Sequence, residues 1–183
     1  GTPTGPPLTG HTGTVRAVAA ATLPDGRAVA ITGGDDATVR IWDLAAGTPT
    51  GPPLTGHTRN VEAVTTATLP DGRAVAITGG HDATVRIWDL AAGTPTGPPL
   101  TGHTGPVWAV AAATLPDGRA VAITGGRDAL VRIWDLAAGH EAAHPLHLIG
   151  SVHALDVHES QHKVTVVIAG DGVVCVDLQV GFI

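Results

Sequence analysis

The 183-residue chain contains no methionine, no tyrosine, one phenylalanine and one cysteine. The single cysteine, Cys175, excludes an internal disulfide framework and fits a reducing compartment, so a cytoplasmic location is expected. Without methionine the chain does not open at a natural start; an excised or trimmed part of a longer protein is expected. Charged residues are scarce at 14 %, and the formal net charge is −6. The few arginines are scattered, so no basic stripe is available to follow phosphates, which argues against a nucleic-acid partner. There is no signal peptide and no apolar run long enough to span a bilayer, so no membrane partner is expected either.

Glycine and proline, by contrast, are plentiful, at 25 and 14 residues, and both recur at a fixed interval. The stretch Thr32-Gly-Gly-Asp-Asp-Ala-Thr-Val-Arg-Ile-Trp-Asp-Leu44 returns almost letter for letter as Thr78 to Leu90 and as Thr124 to Leu136. A Gly-His pair precedes each at the same distance: Gly10-His11, Gly56-His57 and Gly102-His103. Residues 1–46, 47–92 and 93–138 are three copies of one 46-residue unit. A period of roughly 20–50 residues marks a solenoid, propeller or array, whose units are completed only by their neighbours.

Each unit reads as four strands. Residues 1–10 and their copies hold prolines, which survive only on edge strands, at strand starts or at bulges, so they form the outermost strand. Val15 to Thr22 is rich in alanine, a helix former by propensity. It runs straight into Leu23-Pro-Asp-Gly26, a strong turn signal, and its small side chains suit an innermost strand. Ala28 to Thr32 and Thr38 to Leu44 follow as strands around the tight turn Gly33-Gly-Asp-Asp36.

Gly-His followed by Trp-Asp, with four strands per unit, resembles the WD-repeat family of β-propellers, strongly to residue 138 and weakly beyond. The resemblance implies an all-β fold with blades of four antiparallel strands. Residues 139–183 lack Gly-His, but Val152-His-Ala-Leu155 echoes Val15-Arg-Ala-Val18, and Ala169 to Leu178 parallels the turn and third strand, with Val176 in place of tryptophan. They are expected to form a degenerate fourth blade, atypical as terminal repeats often are, so that 1–183 is one propeller segment.

In this family the opening strand of a unit completes the preceding blade, so residues 1–10 should complete some other blade. Family rings hold usually seven, sometimes six or eight blades, within the about 4–8 typical of propellers. Four near-identical wedges then cover about half a circle. Either two chains join as a homodimeric eight-bladed ring through residues 1–10 and the terminal repeat, or further blades lie upstream.

The resemblance also implies a hydrogen-bonded chain across each blade: His11, Thr32, Asp36 and Trp42; His57, Thr78, Asp82 and Trp88; His103, Thr124, Asp128 and Trp134. An indole donates, a hydroxyl donates and accepts, and a carboxylate accepts from imidazole. Asp, His and Thr could mimic a nucleophilic triad. Yet the set occurs three times, each closed by a tryptophan, with no oxyanion donor suggested, so a structural role is expected.

His158-Glu-Ser-Gln-His162 is a literal H-E-x-x-H, which on a helix would let His158 and His162 hold zinc with Glu159 as general base. Here it aligns with Ala21 to Asp25, a strand end and turn, so a zinc hydrolase is a remote alternative and no metal or cofactor is expected. His140, His144, His147 and His153 are expected on loop and strand surfaces. Cys175 is expected as a small core residue of a buried strand.

The copies differ from one another at few places. Copy two carries Arg59, Asn60, Glu62, Thr65, Thr66 and His81 where copy one has other residues; copy three carries Pro106, Trp108, Arg127 and Leu130. Most lie at the start of the inner strand or one residue before the turn aspartate, positions that in the family surround one rim. The candidate partner-binding residues are therefore Arg16, Asp35, Asn60, Glu62, His81, Pro106, Trp108 and Arg127. The expected function is a non-enzymatic scaffold for an unidentified protein or peptide. Similar high-identity arrays occur in bacteria as sensor regions attached to signalling ATPases or kinases, and the Ala-, Gly- and Pro-rich style resembles actinobacterial sequences. The alternative is a self-assembling structural repeat protein without a ligand.

Overall fold

In a computed structural model of the chain, which describes residues 2, 5–160 and 163–178, the alanine-rich segments are strands. The Leu-Pro-Asp-Gly turns decide this: Leu23 N–H bonds Arg27 O at 2.8 Å and Gly26 N–H bonds Leu23 O at 2.9 Å, folding the chain straight back on itself. Blade one orders β1 (Val15–Thr22), β2 (Ala28–Gly34), β3 (Val39–Asp43) and β4 (Thr48–Pro49) in one antiparallel sheet. Blade two repeats it with β5 (Val61–Thr68), β6 (Ala74–Gly80), β7 (Val85–Asp89) and β8 (Thr94–Pro95).

Blade three has β9 (Val107–Thr114), β10 (Ala120–Gly126), β11 (Leu130–Asp135) and β12 (His140–Glu141), and β13 (Leu146–His147) also pairs with β11. Blade four has three strands among the described residues: β14 (Ala154–Glu159), β15 (Val164–Ala169) and β16 (Val173–Leu178). The inner strands stand side by side in chain order, β1 against β5, β5 against β9, and β9 against β14.

Units and blades are out of phase. Thr48 and Pro49, in the second unit, pair with Asp43 and Trp42 of the first blade. The chain then rejoins the sheet at one bridge, where Leu54 N–H bonds Val39 O at 2.8 Å and Val39 N–H bonds Leu54 O at 3.1 Å. Pro52 and Pro53 between them have no N–H to give to a ladder. The outermost strand is thus shorter than its ten-residue sequence signal.

Blades pack large on small. Val29, Ile31, Val39 and Ile41 of blade one meet Ala74, Ala76, Trp88 and Leu90 of blade two. The same layer recurs as Val75, Ile77, Val85 and Ile87 against Ala120, Ala122, Trp134 and Leu136. At each junction a glycine receives a valine at or just before the start of the next inner strand: Gly33 takes Val61, Gly79 takes Val107 and Gly125 takes Val152. A Cβ on Gly79 would stand 2.7 Å from Val107 Cγ1, inside van der Waals contact, and closer still at the other two.

Blade four fills the same layer with different residues. Val166 and Ile168 stand where the regular blades have alanine and threonine, and Val176 stands in the tryptophan position, paired across the sheet with Val166. Bulk gained on one strand offsets bulk lost on the next, with no polar group left to satisfy.

The end faces are open. Val15, Val18 and Leu44 are 48 %, 68 % and 49 % exposed, whereas Val61, Leu90 and Leu136, in the matching positions, are 0 %, 3 % and 4 % exposed. At the other end Val173 is 72 % exposed. Cys175 corrects a sequence expectation: it lies in a strand as expected, but it is exposed. Its strand faces the side of blade four on which, among the described residues, no further blade packs.

Candidate functional site

The buried polar chains come first, because they fix the frame that presents the rim. Trp42 Nε1–H donates to Thr32 Oγ1 at 2.8 Å, and Thr32 Oγ1 lies 2.8 Å from His11 Nε2. His11 Nδ1 is 3.0 Å from the Asp36 carboxylate. One tautomer satisfies every link: Nδ1–H donates to the aspartate, and Nε2 accepts from the hydroxyl. The matching distances are 2.9, 2.8 and 3.1 Å for Trp88, Thr78, His57 and Asp82. For Trp134, Thr124, His103 and Asp128 all three are 2.8 Å.

Each aspartate also accepts the backbone N–H of Thr12, Thr58 or Thr104 at 2.9 Å. Burial pulls the Asp36 carboxyl upward more than any other single influence. Together, the hydrogen bonds from Thr12 N–H, His11 and Thr38 outweigh it and hold the group well below the usual carboxylate range. Asp82 and Asp128 are lowered for the same balance of causes. Burial pushes the His57 and His103 imidazoles down, against the opposing pull of Asp82 and Asp128. These imidazoles are therefore held neutral, as the shared tautomer requires.

The rim is built from the start of each inner strand and the turn beside it. Asp35 N–H bonds Thr14 O at 2.9 Å, His81 N–H bonds Asn60 O at 2.8 Å, and Arg127 N–H bonds Pro106 O at 3.0 Å. These repeated bonds pin turn to strand and bring the two variable positions together.

Blades one and two are joined by charge: Arg16 pairs with Asp35 in its own blade and lies 3.6 Å from Glu62 in the next. Glu62 in turn meets His81 Nδ1 at 3.0 Å. Blades three and four are joined by rings: Trp108 stacks on His153, with centroids 5.1 Å apart and planes 15° from parallel. Arg127 is exposed beside them and has no ion pair among the described residues. Pro106 is buried, and Asn60 accepts the His81 N–H through its backbone carbonyl.

His153 was legible as the counterpart of Arg16 in the degenerate copy, but its stacking on Trp108 required the adjacency of blades three and four. The described part of the H-E-x-x-H string is not helical. His158 and Glu159 are neighbours on β14, a strand, where successive side chains point to opposite faces. Glu159 Oε1 is engaged by Thr114 N–H at 2.8 Å, tying blade four to blade three. His162 lies outside the described residues. Among the described residues no group of three or more His, Cys, Asp or Glu is placed to hold a metal. Among the described residues no helix is long and apolar enough to cross a membrane.

Sheets of antiparallel strands with Trp-Asp third strands and His–Thr–Trp–Asp chains define propeller blades of one kind. The family pattern described as WD domain, G-beta repeat matches residues 3–43, 48–89 and 94–135, and the chain belongs to this family. Among solved structures it is similar to the crystal structure of the computationally designed Ika4 protein. The two are 22 % identical, with a TM-score of 0.76 and 96 % of each chain covered, a likeness of fold. No curated protein matches the chain.

Proposed function

We propose that the chain is a non-enzymatic scaffold that binds a protein or peptide partner on the rim where its inner strands begin. The observation that supports it is the Trp108–His153 stack beside exposed Arg127. In an otherwise repeated frame, the same strand-start position is occupied by Arg16, Glu62, Trp108 and His153 in turn. The charges of blades one and two satisfy one another, while blades three and four offer a flat ring face and a free cation. Tryptophan and arginine are the side chains that most often dominate interface energetics. A segment pairing an apolar side chain with a carboxylate complements them. Cytoplasmic location, bacterial origin and service as the sensor part of a larger signalling protein belong to the same proposal, through the resemblance to bacterial arrays.

A peptide display library selected on the full chain tests this reading. Enriched peptides should bind Trp108→Ala and Arg127→Glu at least about tenfold more weakly, a loss of roughly 1.4 kcal/mol. No enrichment, or peptides indifferent to both substitutions, would sink it.

The open end faces favour a second reading, in which the chain assembles with a copy of itself into an eight-bladed ring. Val15, Val18 and Leu44 are chemically identical to residues that are buried or partly buried inside the molecule, and they lack only a preceding blade. Leu8 is 41 % exposed where Leu54 and Leu100 are 6 %, and Val173 stands in the register position that Val39 and Val85 hold opposite those leucines. In the ring, residues 1–10 of one copy serve as clasp on the other's terminal repeat, with Leu8 opposite Val173. Light scattering should give a mass near twice 18.3 kDa. A monomer at all concentrations would remove this reading and leave those faces to another occupant.

A further inference from the structure

We infer that Ala169 is the residue that sets the strength of the seam between two copies, and that it makes this seam the weakest junction of the ring. The inference rests on the two-copy reading above. Inside the chain, every junction seats a valine on a bare glycine backbone: Val61 on Gly33, Val107 on Gly79, Val152 on Gly125. None of these three glycines has a positive φ, so they are there for space and not for backbone freedom.

In blade four the register places Ala154 opposite Ala169, as Ala17 lies opposite Gly33, so Ala169 occupies the seat. It is half-buried, with no valine on it. Its Cβ stands where Cγ1 of Val15 from a second copy would come to rest.

The partner blade must therefore sit roughly 1 Å further out than inside the chain, which forfeits a substantial part of each contact across the seam. The rest of that face is also poorer. Thr165, Val167, Val173 and Cys175 stand where blade one presents Val29, Ile31, Val39 and Ile41. Two apolar side chains of that set are shortened and one is made polar. A two-fold ring has two such seams, so any change at Ala169 acts twice.

Sedimentation equilibrium over a range of concentrations separates the possibilities. Wild type should dimerise reversibly, Ala169→Gly at least about tenfold more tightly, and Ala169→Val at least about tenfold more weakly. Glycine lowers strand propensity, so Ala169→Gly should also melt slightly earlier as a monomer, which a general stabiliser would not do. Gly79→Ala, at an interior seat, should lower the melting temperature clearly. A wild-type dimer whose constant is unmoved by both Ala169 substitutions overturns the seam inference, as does a Gly79→Ala chain as stable as wild type. Wild type and Ala169→Gly both monomeric at every concentration would instead overturn the two-copy reading beneath it.

Discussion

Thr78 stands between two buried groups and satisfies both, accepting from Trp88 Nε1–H and donating to His57 Nε2. Thr78→Val keeps the shape and strands both partners, so it should cost about 2–3 kcal/mol, read from the urea midpoint. Thr32→Val should cost less, because blade one has an open face through which water can reach the orphaned groups. The imidazoles supply a pH dependence with a definite sign. Burial holds the folded pKa of His57 and His103 below the unfolded value of about 6.5, so the unfolded chain takes up protons first. Melting temperature should fall as pH drops from about 6.5 through the lower folded values. Asp82 and Asp128 add stability that is full above about 3.9 and lost as pH falls through their depressed folded values. A flat melting profile between neutral pH and pH 5 would contradict the burial of these histidines. Ala37, Ala83 and Ala129 sit at φ of 60°, 62° and 60°, the left-handed region that L-residues enter at a cost. Replacing each with glycine should raise stability by about 1 kcal/mol, measurable by denaturant titration.

At the scale of the strand and blade, most of the order was legible. The Leu-Pro-Asp-Gly turns overruled alanine's helical preference, and the prolines of 47–56 placed the outer strand. Hydrogen-bond chemistry allowed the His–Thr–Trp–Asp chain to be written from the residues the resemblance picked out. What was not legible depends on which face of a sheet has a neighbour. A strand pattern tells core from solvent only if both sheet faces are specified. Cys175 sits in a run that reads as buried, yet it is exposed, because among the described residues no blade packs on that side. Pro106 looked like a rim contact from its variability and is buried. Glu159 reads as part of a metal motif, and instead its carboxylate crosses to the preceding blade. Glu159→Ala should therefore speed hydrogen exchange at the Thr114 amide and cost about 0.5–1.5 kcal/mol. Unchanged exchange there would show that the cross-blade bond contributes nothing.

The whole molecule is a row of wedges, each covering the apolar layer of the one before it. Val121, Ile123, Val131 and Ile133 of blade three are buried only because Val152, Val164, Val166 and Ile168 lie on them. A chain cut after residue 138 should therefore bare this layer and aggregate, seen as rising light scattering, although all three regular repeats are intact. The stagger between unit and blade has a consequence in time. Blade one is finished by Leu54 and blade two by Leu100, residues that belong to the following unit. On the ribosome, each sheet must therefore wait with a bare third strand until some eight residues of the next repeat have emerged. Synthesis then dictates the sequence of closure, and the nascent chain always holds one unfinished blade at its trailing end.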